Sequence, residues 1–205
     1  MLKHSQPRRH EEEGFTLIEL MVVVLIMGIL MAIAIPTFLS TRGSAYDASA
    51  KSNATNALTN EKAYFESNQV FLESGEPATG TLNGDTLDSG LPWLAAPGAP
   101  ASTDTNKVTA IVGSLASSTF TEATTAPYTG NVMVVEALSQ SNNCFYVYDN
   151  EASSSSPILG YAVTSGGCAA VTGAMFPAAQ SDVNSGNASV VAAGSLAATD
   201  WNTQW

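Results

Sequence analysis

A chain of 205 residues has room for one modest globular domain and one extended element, which excludes two large domains. Its formal net charge is −11, and past residue 14 the only basic residues are Arg42, Lys51, Lys62 and Lys107, so a broad phosphate-binding surface is excluded and no direct nucleic-acid partner is expected. Both histidines, His4 and His10, lie at the start of the chain, which leaves the remainder without the commonest general base and metal ligand; no enzymatic activity, cofactor or metal is expected.

In chain order, Lys3, Arg8 and Arg9 open the sequence, followed by Glu11-Glu12-Glu13 and Gly14. Residues 15–39 then form an apolar run, Phe15 to Leu39, whose single charge is Glu19. At about 1.5 Å per residue this run is long enough to cross a hydrocarbon layer of roughly 30 Å. The basic residues precede it and only Arg42 follows closely, so the positive-inside bias places the N-terminus in the cytoplasm and the bulk of the chain outside. A cleavable secretory signal is the competing reading, with Ala32-Ile33-Ala34 as its cleavage site. The run is longer than the usual signal core, and Glu19 sits inside it, where a carboxylate costs about 2.5–3.5 kcal/mol at mid-helix. A disposable signal gains nothing from that charge. Gly28 and Pro36 mark expected helix breaks, because glycine weakens a helix and proline removes an N–H and clashes with the carbonyl one turn earlier.

Residues 40–68 are expected to continue the helix as an amphipathic segment, since Tyr46, Ala50, Ala54, Ala57, Leu58 and Phe65 recur at spacings near three and four. The alternative is a break near Gly43. Residues 69–107 are rich in turn formers such as Asn83-Gly84-Asp85 and Pro97-Gly98, and read as an irregular connection. Within residues 108–205, four short β-branched or aromatic runs predict an antiparallel sheet of four or so strands: Val108–Val112, Val132–Glu136, Cys144–Tyr148 and Leu159–Thr164. Cys144 and Cys168 are the only cysteines; the pair suits one disulfide in an oxidising compartment better than a zinc site, with two buried free thiols as the alternative. The tail from residue 178, rich in Ala, Ser, Gly and Asn, leaves three options open: a surface coat, an extra strand around Ser189–Ala192, or partial disorder. Asn53-Ala54-Thr55 and Asn187-Ala188-Ser189 match a glycosylation pattern that arises often by chance in such compositions.

Gly14-Phe15-Thr16-Leu17-Ile18-Glu19 followed by an apolar helix resembles the cleavage and methylation site of type IV prepilins. The resemblance covers about residues 8–45. It implies an α+β fold with a long N-terminal membrane-spanning helical spine and a small antiparallel β-sheet head. It also implies that residues 1–14 are a leader and that a membrane peptidase/methyltransferase cuts after Gly14 and methylates Phe15. The chemistry of the residues adds a role for Glu19 in assembly, as the partner of a neighbouring subunit's new N-terminal amine, with a carboxylate snorkelling to the membrane edge as the alternative. The cysteine pair resembles the disulfide-bounded region of many pilins. The implied partners are identical or related pilin subunits in a helical filament, the prepilin peptidase, a membrane assembly platform and, before assembly, the lipid bilayer. The implied location is the cytoplasmic membrane before assembly and the cell surface afterwards. The function expected is a structural subunit of a type IV pilus-like filament, with a pseudopilin of a type II secretion-like system as the alternative and a membrane-anchored receptor or enzyme third.

Overall fold

The computed structural model describes residues 14–72, 90–94, 104–116, 119–122, 129–152, 157–172, 175–177 and 179–205. The leader residues before Gly14 and most of the expected connection over 69–107 lie outside them. The fold is α+β: one long helix and an antiparallel-rich sheet. The chain divides into two compact units at Arg42/Gly43.

The helix α1 (Leu17–Asn68) has 52 residues, about 78 Å of contour. In the first unit, every described residue from Gly14 to Arg42 is exposed, the large apolar side chains from Leu17 to Leu39 included. Among the described residues this is the one helix long and apolar enough to cross a membrane, with a mean hydropathy of 2.9 in its most apolar window. It runs unbroken through Gly28, Pro36 and Gly43, so the breaks expected at Gly28 and Pro36 are not present in the single chain. Strong helix formers flank Gly28 on both sides and carry the helix across it. Near Pro36, the Thr37 hydroxyl donates to the carbonyl oxygens of Ile33 (3.3 Å) and Ala34 (2.9 Å), and the Thr41 hydroxyl to that of Thr37 (2.9 Å). These bonds turn the hydroxyls back onto the helix's own carbonyls in the turn that follows the proline.

In the second unit, Ala50, Ala54, Ala57 and Leu58 form the buried stripe of the helix, as the spacing predicts, and Glu61 joins them. The sheet they cover is built on β2 (Val108–Ala116), β5 (Val132–Leu138), β6 (Asn143–Asn150) and β7 (Ile158–Ser165), each containing one of the four predicted runs. β2, β5, β6 and β7 pair antiparallel in that order, with Val135 opposite Ala110 and Val147, and Tyr146 opposite Glu136 and Ala162. Four further strands enlarge the sheet to eight. β3 (Thr119–Glu122) hairpins onto β2, and the tail supplies β8 (Asn184–Asn187), β9 (Val190–Ala192) and β10 (Asn202–Gln204). β10 pairs antiparallel with β7 and parallel with β8, while β9 runs parallel to the other end of β7. A separate pair joins β1 (Phe71–Leu72) to β4 (Thr129–Gly130).

All seven residues of β5 are buried. A strand without polar alternation needs cover on both faces of the sheet, and it has both. On one face Met133, Val135, Ala137, Phe145, Val147 and Val163 pack with the alanine stripe of α1. On the other, Val134, Leu138, Tyr146, Tyr148 and Ala162 pack with Met175 and Phe176 from the segment after β7 and with Val183, Leu196 and Trp201 from the tail. The tail is therefore neither a coat nor disordered: it forms the second cover and contains the strand anticipated near residue 190. Trp201 is fully buried, donates from Nε1 to the Met175 carbonyl (2.5 Å), and lies tilted against the rings of Tyr148 (5.5 Å) and Phe176 (5.6 Å). Gly160 makes room for it, since a Cβ there would lie 3.2 Å from the Trp201 ring. Trp205 lies on the helix-covered face, edge-on to Phe145 at 5.4 Å and tilted on Tyr161 at 4.9 Å, with Lys51 of α1 over Phe145 (5.3 Å) and Trp205 (6.0 Å). The disulfide Cys144–Cys168, with Cα atoms 5.0 Å apart, ties β6 to the segment after β7. Beside it the Tyr146 hydroxyl accepts from the Ala169 N–H (2.6 Å).

Because Trp201 fills the second face, Trp201→Ala should destabilise the sheet unit by about 3–5 kcal/mol. Removing the disulfide by Cys144→Ala/Cys168→Ala should remove about 3 kcal/mol. Urea unfolding of the full chain in mild detergent, followed by circular dichroism in the β region, measures both. A Trp201→Ala loss under 1 kcal/mol would show that the tail is not a core element.

Candidate functional site

The N-terminus of α1 is where the sequence places its most specific chemistry, and the local geometry there is set by three residues outside the helix. Gly14, Phe15 and Thr16 are non-helical and exposed; Phe15 is 82% exposed. The carbonyl of Thr16 accepts from the Leu20 N–H (3.2 Å), while its hydroxyl accepts from the Glu19 N–H (3.2 Å). Thr16 is thus the N-cap, satisfying one of the donors that a helix start leaves without partners. Glu19 occupies the third helical position, so Thr16-Leu17-Ile18-Glu19 has the Thr-x-x-Glu pattern of a capping box, and its carboxylate sits at the favourable, positive end of the helix dipole. The sequence reading used Gly14, Phe15 and Glu19 but gave Thr16 no role of its own; the Thr-x-x-Glu pattern before an apolar run was the signal for it. A Cβ added at Gly14 meets nothing within 4 Å, so no packing among the described residues requires glycine there.

Gly14, Phe15, Thr16 and Glu19 are brought together at this end by adjacency alone. Gly28 and Pro36 lie farther along the same exposed helix, and Cys144 and Cys168 belong to the second unit. Among the described residues no three His, Cys, Asp or Glu side chains gather as a metal-holding group.

Residues 9–35 match the family model for the prokaryotic N-terminal methylation motif, so the chain carries a prepilin-type N-terminal motif. The chain is also 50% identical over 60 residues to the type IV major pilin protein PilA of Myxococcus xanthus (strain DK1622), an alignment covering 29% of this chain. It spans 27% of the length of that protein. No solved structure matches the chain significantly.

The second unit holds the perturbed titratable groups. Glu61 is fully buried where α1 meets the sheet; its Oε2 accepts from the Leu72 N–H of β1 (3.0 Å), and its Oε1 has no hydrogen-bond partner. Burial pushes its carboxyl up to about 8, against the smaller pull of the Leu72 N–H. Asp149, buried in β6, meets the Lys62 ammonium at 2.9 Å, and Lys62 also reaches Glu151 at 3.3 Å. Burial raises Asp149 to about 6, with Lys62 opposing. Glu61 ties the helix to β1 and Asp149 ties it to the large sheet.

Both carboxyls titrate higher in the folded chain than their ordinary values of 4.5 and 3.8. The folded state therefore binds more protons across that interval, and stability falls as pH rises from about 4 to about 8, then levels off. Urea titrations at pH 5, 6.5, 8 and 9 should show this decline. Glu61→Gln, which keeps the acceptor for Leu72 without the charge, should flatten the upper part and exceed wild type at pH 9 by roughly 1–3 kcal/mol.

Proposed function

We propose that the chain is the precursor of a structural subunit of a type IV pilus-like surface filament. The observation that carries this reading is the helix segment from Leu17 to Leu39, apolar and exposed all round, beginning at a cleavage and methylation motif. Such a surface has two stable environments, a bilayer before assembly and a bundle of like helices after it. The similarity to a type IV major pilin supports the second.

In this scheme the N-terminus faces the cytoplasm, a membrane peptidase/methyltransferase cuts Gly14–Phe15 and methylates Phe15, and an assembly platform inserts the helix among copies of this or related subunits. Cleavage makes an α-amine with an ordinary pKa near 8, which remains largely cationic after one N-methylation. Glu19 of a neighbouring subunit staggered by about one turn receives that cation, neutralising a carboxylate that is costly in an apolar core and fixing the register between helices. Gly28 and Pro36, intact within the single chain's helix, are the positions where the helix opens most readily on packing into a filament. A pseudopilin shares this N-terminal chemistry, and the composition of sheared surface filaments decides between the two.

Intact-mass analysis of membrane or filament material should give a chain beginning at N-methylated Phe15; a functional chain beginning at Met1 or Ile35 would overturn the processing step. Glu19→Val, as the sole copy of the subunit, should insert into membranes as well as wild type and lose most of its yield in sheared filaments. Glu19→Gln should recover only part of it. Normal filament yield from Glu19→Val would remove the charge from the assembly mechanism.

A further inference from the structure

We infer that Thr16 is a positioning residue for the peptidase: its side chain starts the helix at Leu17, two residues beyond the Gly14–Phe15 bond, and thereby keeps that bond in an extended, cleavable form. This rests on the reading above that the bond is cut. The observation is the N-cap itself, in which the Thr16 hydroxyl holds the Glu19 N–H at 3.2 Å and the helix begins at Leu17, leaving Gly14 and Phe15 non-helical.

Peptidases bind substrates as extended strands, through main-chain hydrogen bonds that a helix has already committed elsewhere. Next to a membrane the balance tilts toward helix, because backbone groups left unpaired in an apolar medium are costly. The sequence upstream adds to that tilt: Glu11, Glu12 and Glu13 are the residue type favoured in a first helical turn, so a start near residue 11 is electrostatically supported. Two features oppose it. Gly14 is a poor helix interior residue, and Thr16 offers the Glu19 N–H a partner that an upstream helix would have to replace with the Phe15 carbonyl. Losing the cap therefore shifts the start upstream and draws Phe15 and Gly14 into the helix. Fraying in the other direction is disfavoured by the apolar surroundings of Leu17 to Leu25.

Thr16→Val keeps the shape and the β-branch and removes the acceptor, whereas Thr16→Ser and Thr16→Asn keep a capping oxygen on differently shaped side chains. The experiment uses the full-length chain in detergent with a purified prepilin peptidase, following release of residues 1–14 by mass spectrometry. Thr16→Val should be cleaved about three- to tenfold more slowly in kcat/KM. The loss should fall on KM with kcat little changed, because the helical form is a non-productive competitor in the free substrate. Thr16→Ser and Thr16→Asn should be cut at close to the wild-type rate. Wild-type cleavage of Thr16→Val overturns the inference. So does an equal loss in Val, Ser and Asn, which would mean that the enzyme reads threonine itself. Failure of the wild-type chain to be cut after Gly14 would instead overturn the processing reading beneath it.

Discussion

An apolar helix that its own chain does not cover sets the terms for everything else. The side chains from Leu17 to Leu39 would be forced into water if the chain were released as a free monomer. At about 25 cal/mol for each Å² of apolar surface, no rearrangement within the second unit offsets that penalty. The helix must therefore always lie in something apolar, lipid or protein, and passing from one to the other must not leave it exposed in between. Within so uniform a surface, polar groups acquire meaning by their scarcity. The threonine hydroxyls are turned back onto the helix's own carbonyls, which leaves Glu19 and Arg42 as the charges of this unit between Phe15 and Gly43.

The second unit solves a different problem. Its central strands bury mostly apolar side chains on both faces, with Glu136 and Asp149 among them, so the sheet is unstable until each face is covered. The helix covers one with small residues, Ala50, Ala54 and Ala57, which allow the backbone to approach the sheet closely. The tail and the segment after β7 cover the other with large ones, Trp201 over the gap left by Gly160 and Phe176 beside it. Charge is admitted at the helix–sheet seam where it joins elements: Asp47 accepts from Ser141 and Asn143 of the β5–β6 turn and strand, and Lys62 bridges to Asp149 and Glu151.

Much of this was legible from the residues. The helix was readable because its apolar run is long and its later positions recur every three or four residues, and the four central strands because their β-branched and aromatic runs are dense. What escaped did so for identifiable reasons. The tail strands Asn184–Asn187 and Asn202–Gln204 have compositions that signal loops; they are strands because β7 offers an edge to Asn202–Gln204, which in turn offers one to Asn184–Asn187, a tertiary effect no local pattern carries. Trp201 and Trp205 were visible as large apolar residues in a small-residue tail but could not be assigned to a face. Glu61 sits in register with the alanines, and its burial was hidden by its charge. Pro36 argues locally for a break, but one missing hydrogen bond in so long a helix is outweighed by the helical residues on either side of it. At the N-terminus the cleavage motif was plain, while the cap inside it was overshadowed by the motif.

The late position of the second cover bears on how the molecule comes into being. If the chain is threaded through a membrane from the helix onward, α1 and the strands up to β7 reach the far side first, and the sheet then has the alanine stripe on one face and nothing on the other. Cys168 arrives next, allowing the bond to Cys144 to form and hold the half-built sheet in register. Only when Trp201 docks on Gly160 and Trp205 on Phe145 are both faces closed. Until then an apolar sheet face and the free edge of β7 stand open to neighbouring nascent chains, an invitation to mispairing. Export therefore has a vulnerable interval whose length is set by the time needed to deliver the residues between 168 and 205, and an oxidising environment shortens its consequences by fixing the hairpin before the last strand arrives.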